Sequence, residues 1–286
     1  MTTLVIHADD VGMCHGANRA FVELSHVGTI TSGSVMVPCP WFSEIAEAAA
    51  SDNTLDCGVH LTLTSEHAHY RWGPLSRVGP TSGLLDDHGF LWPDVTSVRR
   101  RAHPEAVEQE WRAQIDRALA MGINVTHLDA HMGSALAPEW CHRYVAVGID
   151  YGVPVLITST LAAYGPNGHL TAGEEERPGA DEAIGAAART AAAAGMPVFD
   201  RVLETDFGRP RHTPPDYPSM LSDLDEGLVY CAFHPCAPGG AEVEAIEPEF
   251  HHVRTDEYRI FGTDSWREWL AAKPYRLAGM GELALG

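Results

Sequence analysis

Leu4-Val5-Ile6-His7-Ala8-Asp9-Asp10 is an apolar run that stops on paired carboxylates. Leu4 to Ala8 has the length and composition of a strand. Working outward, Ala17, Phe21, Leu24 and Val27 fall on one helical face that ends at Gly28, a usual terminator, and Gly33 to Val37 then reads as a second strand. Strand, helix and strand in so short a span predict a parallel βαβ unit.

The same alternation continues. Trp41, Ile45 and Ala49 mark a helix, and a strand follows around Cys57 to Thr64. Residues 65–103 are rich in Gly, Pro, His and aromatics with weak periodicity, which predicts a long substrate-side loop in which Tyr70, Trp72 and Trp92 cover the substrate. Val107, Trp111, Ile115, Ala118 and Leu119 define an amphipathic helix ending at Gly122. A strand over His127 to His131, a helix from about Pro138 and a strand over Val153 to Ile157 come next. Leu161 to Pro178 reads as loop, about Asp181 to Ala194 as an Ala-rich helix, followed by Pro197-Val198-Phe199. Leu228 to Phe233 is a continuous apolar run, hence a buried parallel strand, and it ends in His234-Pro235. Ser265 to Ala272 reads as a last helix and Tyr275 to Ala278 as a short strand. The count is about seven strands, spaced too unevenly for a regular eight-fold barrel.

A chain of 286 residues with 45% hydrophobic content suffices for one α/β domain, expected over 1–286. With 19 Lys and Arg against 39 Asp and Glu, its net charge of −20 disfavours nucleic acid and anionic membranes as partners. Arg99-Arg100-Arg101, the only basic cluster, reads as a solvated helix approach. There is no export signal and no apolar run near the ~20 residues a membrane span needs, so the reading is a soluble, cytoplasmic protein. Six scattered cysteines without a C-x-x-C pair read as reduced thiols; Cys231 and Cys236 flank His234, but buried thiols are favoured over metal ligands.

In Thr126-His127-Leu128-Asp129-Ala130-His131, strand alternation points His127, Asp129 and His131 to one side. Gly58-Val59-His60-Leu61-Thr62-Leu63-Thr64 carries a lone His on an alternating pattern. In α/β sheets reactive groups gather where strands hand over to loops at their C-terminal ends, and Asp9, Asp10, His60, His131 and His234 all fall there. A catalytic divalent site takes three His or carboxylate ligands, a count met by Asp10, His60 and His131. Asp9, diverging from Asp10 at the strand end, then suits a general base, and His234 the acid for a departing amine. His127 and Asp129 read as residues that orient the site, and His7 shares Asp9's face.

These pieces, with Ala8-Asp9-Asp10-Val11-Gly12, Thr31-Ser32-Gly33-Ser34-Val35-Met36-Val37 and His234-Pro235, resemble the YdjC/ChbG/HpnK family of carbohydrate deacetylases nearly end to end. The resemblance implies an α/β fold of the distorted TIM-like (β/α) barrel type. It implies hydrolytic removal of an N-acetyl group from an amino sugar, with one divalent ion, Zn or Mg, as cofactor. It assigns Asp10, His60 and His131 as ligands, Asp9 as base and His234 as acid or oxyanion partner. Where family members often continue the central motif as a His-rich run, Met132-Gly133-Ser134 stands here, and the family's His-Pro-Gly is His234-Pro235-Cys236. The expected partner is a small N-acetylated sugar, with homodimerisation a general expectation only. The rivals are another metal-dependent hydrolase, for an ester, a cyclic amide or a phosphate ester, and a non-catalytic carbohydrate-binding protein.

Overall fold

The computed structural model describes residues 1–170 and 177–283. The opening unit forms as expected: β1 (Thr3–Val11), α1 (His15–His26) and β2 (Ser32–Val35), with β1 and β2 parallel. It continues with α2 (Phe42–Ser51), β3 (Cys57–Leu61), α3 (Val95–Arg101), α4 (Pro104–Ala120), β4 (Val125–Ala130), α5 (Cys141–Tyr151) and α6 (Arg177–Ala193). Then come β5 (Arg201–Glu204), α7 (Tyr217–Met220), β6 (Leu228–Phe233), α8 (Glu242–Ile246), α9 (His251–Phe261), α10 (Asp264–Ala271) and β7 (Arg276–Leu277).

The strand order is β4-β3-β2-β1-β6-β5, every pairing is parallel, and β7 adds to β1. Nearly every residue of β1 and β6 is buried, as a parallel strand covered on both faces requires. The hydrogen bonding also runs round the other way. Leu128 of β4 bridges Val155, and Thr158 bridges Phe199 just ahead of β5, so parallel pairing circles the whole ring, with single bridges on that side. This is the distorted (β/α) barrel, in one α/β domain. No helix among the described residues is long and apolar enough to cross a membrane.

Two faces divide the labour. Under the helices the packing is apolar and tight: a Cβ on Gly33 would lie 2.6 Å from the Phe21 ring of α1. The ring interior instead gathers polar groups, with His7, Ser34, His60, His127, Asp129 and Tyr230 all buried. Gly58 of β3 makes room for one of them, since a Cβ there would meet the His127 ring at 2.5 Å. Gly58→Ala is therefore expected to destabilise the fold by about 1–3 kcal/mol through overpacking. An unchanged urea midpoint would show that the ring can move aside.

Several elements depart from the sequence reading. Residues 65–103 are not loop throughout, because Asp94 caps α3 by accepting the Ser97 N–H, and the Arg triplet lies in that helix. Tyr70, Trp72 and Trp92 are each held by a backbone carbonyl. Trp72 is buried and donates to the Thr64 carbonyl, Trp92 donates to the Gly83 carbonyl and Tyr70 to the Met13 carbonyl, so the aromatics tie this segment to the body of the protein. Strand β5 begins just after Pro197-Val198-Phe199, and Val153 to Ile157 contributes a bridge in place of a full strand. Leu161–Leu170 is a kinked 3₁₀ segment where loop was expected; the rest of that stretch, 171–176, lies outside the described residues.

Candidate metal and acid–base site

The five residues picked from the sequence line one cavity of about 270 Å³: Asp9, Asp10, His60, His131 and His234. A regular pleat would send Asp9 and Asp10 to opposite faces. The register between β1 and β2 shifts between Ala8 and Val11, and Asp10 adopts φ 58°, a left-handed conformation uncommon outside glycine. This bulge turns both carboxylates into the same cavity, correcting the divergence expected from the strand pattern.

One oxygen defines the centre. Asp10 Oδ1 lies 2.9 Å from His131 Nδ1 and 3.3 Å from His60 Nε2, is buried, and accepts no hydrogen bond. The donor atoms of these three residues lie within 4.8 Å of one another. Two imidazole nitrogens and a carboxylate oxygen converging on one point without bonding each other fit a divalent cation between them. The far ring nitrogens are already engaged, which fixes the tautomers. His60 Nδ1–H donates to Asp129 Oδ1 at 2.8 Å, and His131 Nε2–H donates to Glu66 Oε1 at 2.9 Å. Each candidate imidazole ligand thus has a carboxylate behind it. Asp129 is in turn held by the Ser34 and Tyr230 hydroxyls, at 2.8 and 2.9 Å.

The electrostatics agree with that fit. Burial opposes ionisation of Asp10, but Arg254, 2.8 Å from Oδ2, and the neighbouring imidazoles hold its carboxyl well below the ordinary range. Burial also opposes charge on the two rings, yet Asp129 and Asp10 raise His60 well above the usual value. Glu66 and Asp10 likewise bring His131 to about 10. A setting that draws protons onto both rings is one in which a divalent cation displaces them.

Asp9 and His234 line the same cavity. Asp9 Oδ1 accepts the Nδ1–H of His7 at 2.7 Å, while Oδ2 lies 3.8 Å from His234 Nε2. His7 rests in turn on His127, their Nε2 atoms 2.9 Å apart. His234 Nδ1–H donates to the Thr205 hydroxyl at 2.9 Å, and that hydroxyl donates to Glu257 Oε1 at 2.6 Å. Glu257 Oε2 also accepts the backbone N–H of His234. Burial pushes His234 down to about 4 and Glu257 up to about 7. His127 thus bonds His7, while Asp129, which also lines the cavity, bonds His60.

Reading the sequence missed Glu66, Thr205, Arg254 and Glu257. Glu66 stands two residues beyond the Gly58–Thr64 stretch, which was the one available signal. Arg254 and Glu257 come from α9, a helix with no apolar stripe in the sequence because buried charged residues occupy part of its core face.

The family model for YdjC-like protein matches residues 3–272. A carbohydrate deacetylase of Thermus thermophilus is 35% identical over 162 residues, covering 57% of this chain and 56% of that protein. One of Brevibacillus brevis is 32% identical over 152 residues, covering 53% and 58%. The matched stretch thus spans little more than half the length of these curated relatives. A crystal structure from Enterococcus faecalis V583, of a protein named as a candidate cellobiose-phosphate cleavage protein, matches with TM-score 0.76. That match covers 99% of both chains at 21% identity, a likeness of fold.

Proposed function

The chain belongs to the YdjC-like protein family, and from that premise we propose that it is a divalent-metal-dependent hydrolase removing the acetyl group from a small N-acetylated sugar. The observation that carries this reading is the unbonded Asp10 Oδ1 between His60 Nε2 and His131 Nδ1, with Asp9 and His234 lining the same cavity. The relatives named as carbohydrate deacetylases support the substrate class.

A cation held by Asp10, His60 and His131, with Zn²⁺ favoured over Mg²⁺ by the two imidazoles, would polarise the acetyl carbonyl and acidify the attacking water. The protein's own groups handle the proton. Asp9 Oδ2 takes it from the water, its partner oxygen being held by His7. His234, lowered to about 4 by burial, waits neutral with Nδ1–H on Thr205, leaving Nε2 open. The proton crosses from Asp9 to that nitrogen, 3.8 Å away, and from there reaches the departing amine. The proton the water loses is thus the one the amine gains. Phe207, edge-on to His234 at 4.9 Å, and Phe250 line the cavity and offer apolar faces to a sugar ring.

The test is acetate release from a panel of N-acetylated sugars, with chelator and then Zn²⁺ or Mg²⁺ added back. Chelator-sensitive release that returns with metal is the expected result. Release of phosphate, or turnover of esters alone, would move the assignment to another hydrolase on the same residues. Binding without any product would favour a carbohydrate-binding protein.

A further inference from the structure

Two cysteines stand apart from the other four. The sulfurs of Cys14 and Cys236 are 3.7 Å apart. They sit on the two loops that frame the candidate site, Cys14 four residues beyond Asp10 and Cys236 two beyond His234. The Cys236 loop is tied by backbone to the helices around it: Ala237 N–H donates to the Gly16 carbonyl at the start of α1 at 2.8 Å, and Cys236 N–H to the Arg254 carbonyl of α9 at 3.0 Å. Both cysteines line a second cleft of about 170 Å³ with His15, Arg19, Gly240 and Glu242. That is room for several water-sized molecules at ~30 Å³ each. Cys14 also occupies the N-cap of α1, and the Cys236 thiol donating to it lowers it from the ordinary thiol value. Cys236, as the donor to Cys14, is raised, and burial raises Cys39, Cys57, Cys141 and Cys231, which leaves Cys14 the nucleophile of the six.

We propose that Cys14 and Cys236 form a dithiol that peroxide oxidises to a disulfide across the two loops framing the site. The Cys14 thiolate attacks one peroxide oxygen, the O–O bond breaks, and the departing hydroxide takes up the proton that the Cys14 thiol gave up, leaving Cys14 sulfenic acid and water. Cys236 then attacks the Cys14 sulfur, the S–O bond breaks, and the Cys236 thiol proton leaves with the hydroxyl as water. Both sulfurs are oxidised and the peroxide is reduced to two waters. Closing the sulfurs from 3.7 Å to a bond of about 2.0 Å demands a shift of the loops or side chains. Cys236 is bonded to Arg254, whose guanidinium holds Asp10, so the shift reaches the site. Its effect on turnover rests on the function proposed above.

The experiment treats the reduced full chain with hydrogen peroxide, alkylates it and maps peptides by mass spectrometry. The expected result is a Cys14–Cys236 linked peptide, reversed by dithiothreitol, with the other four cysteines still alkylated. Turnover of an acetylated sugar should fall by about tenfold or more, as ångström-scale misplacement does, and recover on reduction. The Cys14→Ser and Cys236→Ser variants should retain turnover and resist peroxide. A folded, active wild-type enzyme that yields no such link, or links other cysteines first, overturns the proposal, and a link with unchanged turnover overturns its coupling to the site. Absence of deacetylation in the reduced enzyme counts against the proposed function alone, because the linked peptide is read independently.

Discussion

His131→Ala is expected to strip the protein of bound divalent metal and of turnover in one step. The ring supplies one of three donors, and its Nε2 is anchored on Glu66 at 2.9 Å. Removing a partner behind a ligand typically costs 10–100-fold in metal affinity, so loss of the ligand itself should exceed about 100-fold. Glu66→Gln should fall within that smaller range. Metal content after dialysis, with circular dichroism to check folding, decides the matter. A folded His131→Ala protein that still holds one equivalent of zinc would remove His131 from the site.

Asp9→Asn separates chemistry from metal loading. The amide oxygen can still accept the His7 N–H, so the cavity keeps its shape, but the side chain can no longer take a proton from water. Turnover should drop by about 10²–10⁴, the usual contribution of a positioned general base, with metal content unchanged. Turnover within tenfold of the parent would instead make His234 the base, since its open Nε2 lies 3.8 Å from the same carboxylate.

The two variants probe residues that were visible from sequence for one physical reason. Strand ends put Asp9, Asp10, His60, His131 and His234 on one rim, and the pleat plus the βα alternation sufficed to place them there. The divergence expected of Asp9 and Asp10 failed because a bulge is set by backbone geometry at Asp10, φ 58°, which leaves no mark in composition. The burial of Trp72 was not legible because a buried Trp and a substrate-stacking Trp look alike in a sequence. Helix α9 went unseen for the opposite reason: Arg254 and Glu257 are buried by their partners, Asp10 and Glu247 in one case and Thr205 and Tyr217 in the other. Partners so distant in the chain cannot be read locally.

The ring's two sides differ in a way that bears on what it can accommodate. The β1–β6 and β3–β4 side is held by extended ladders, and it carries Asp9, Asp10 and His60 with His131 and His234 at its strand ends. The opposite side, from Val155 to Phe199, is held by single bridges, and Leu156 and Tyr164 from this part line the same cavity. Segments with few backbone hydrogen bonds open first in local unfolding, so amide exchange should be fastest along that seam. Substrate length and branching would then be absorbed by a yielding wall while the reacting groups stay in register. Changes in selectivity and changes in rate can therefore arise independently in this barrel.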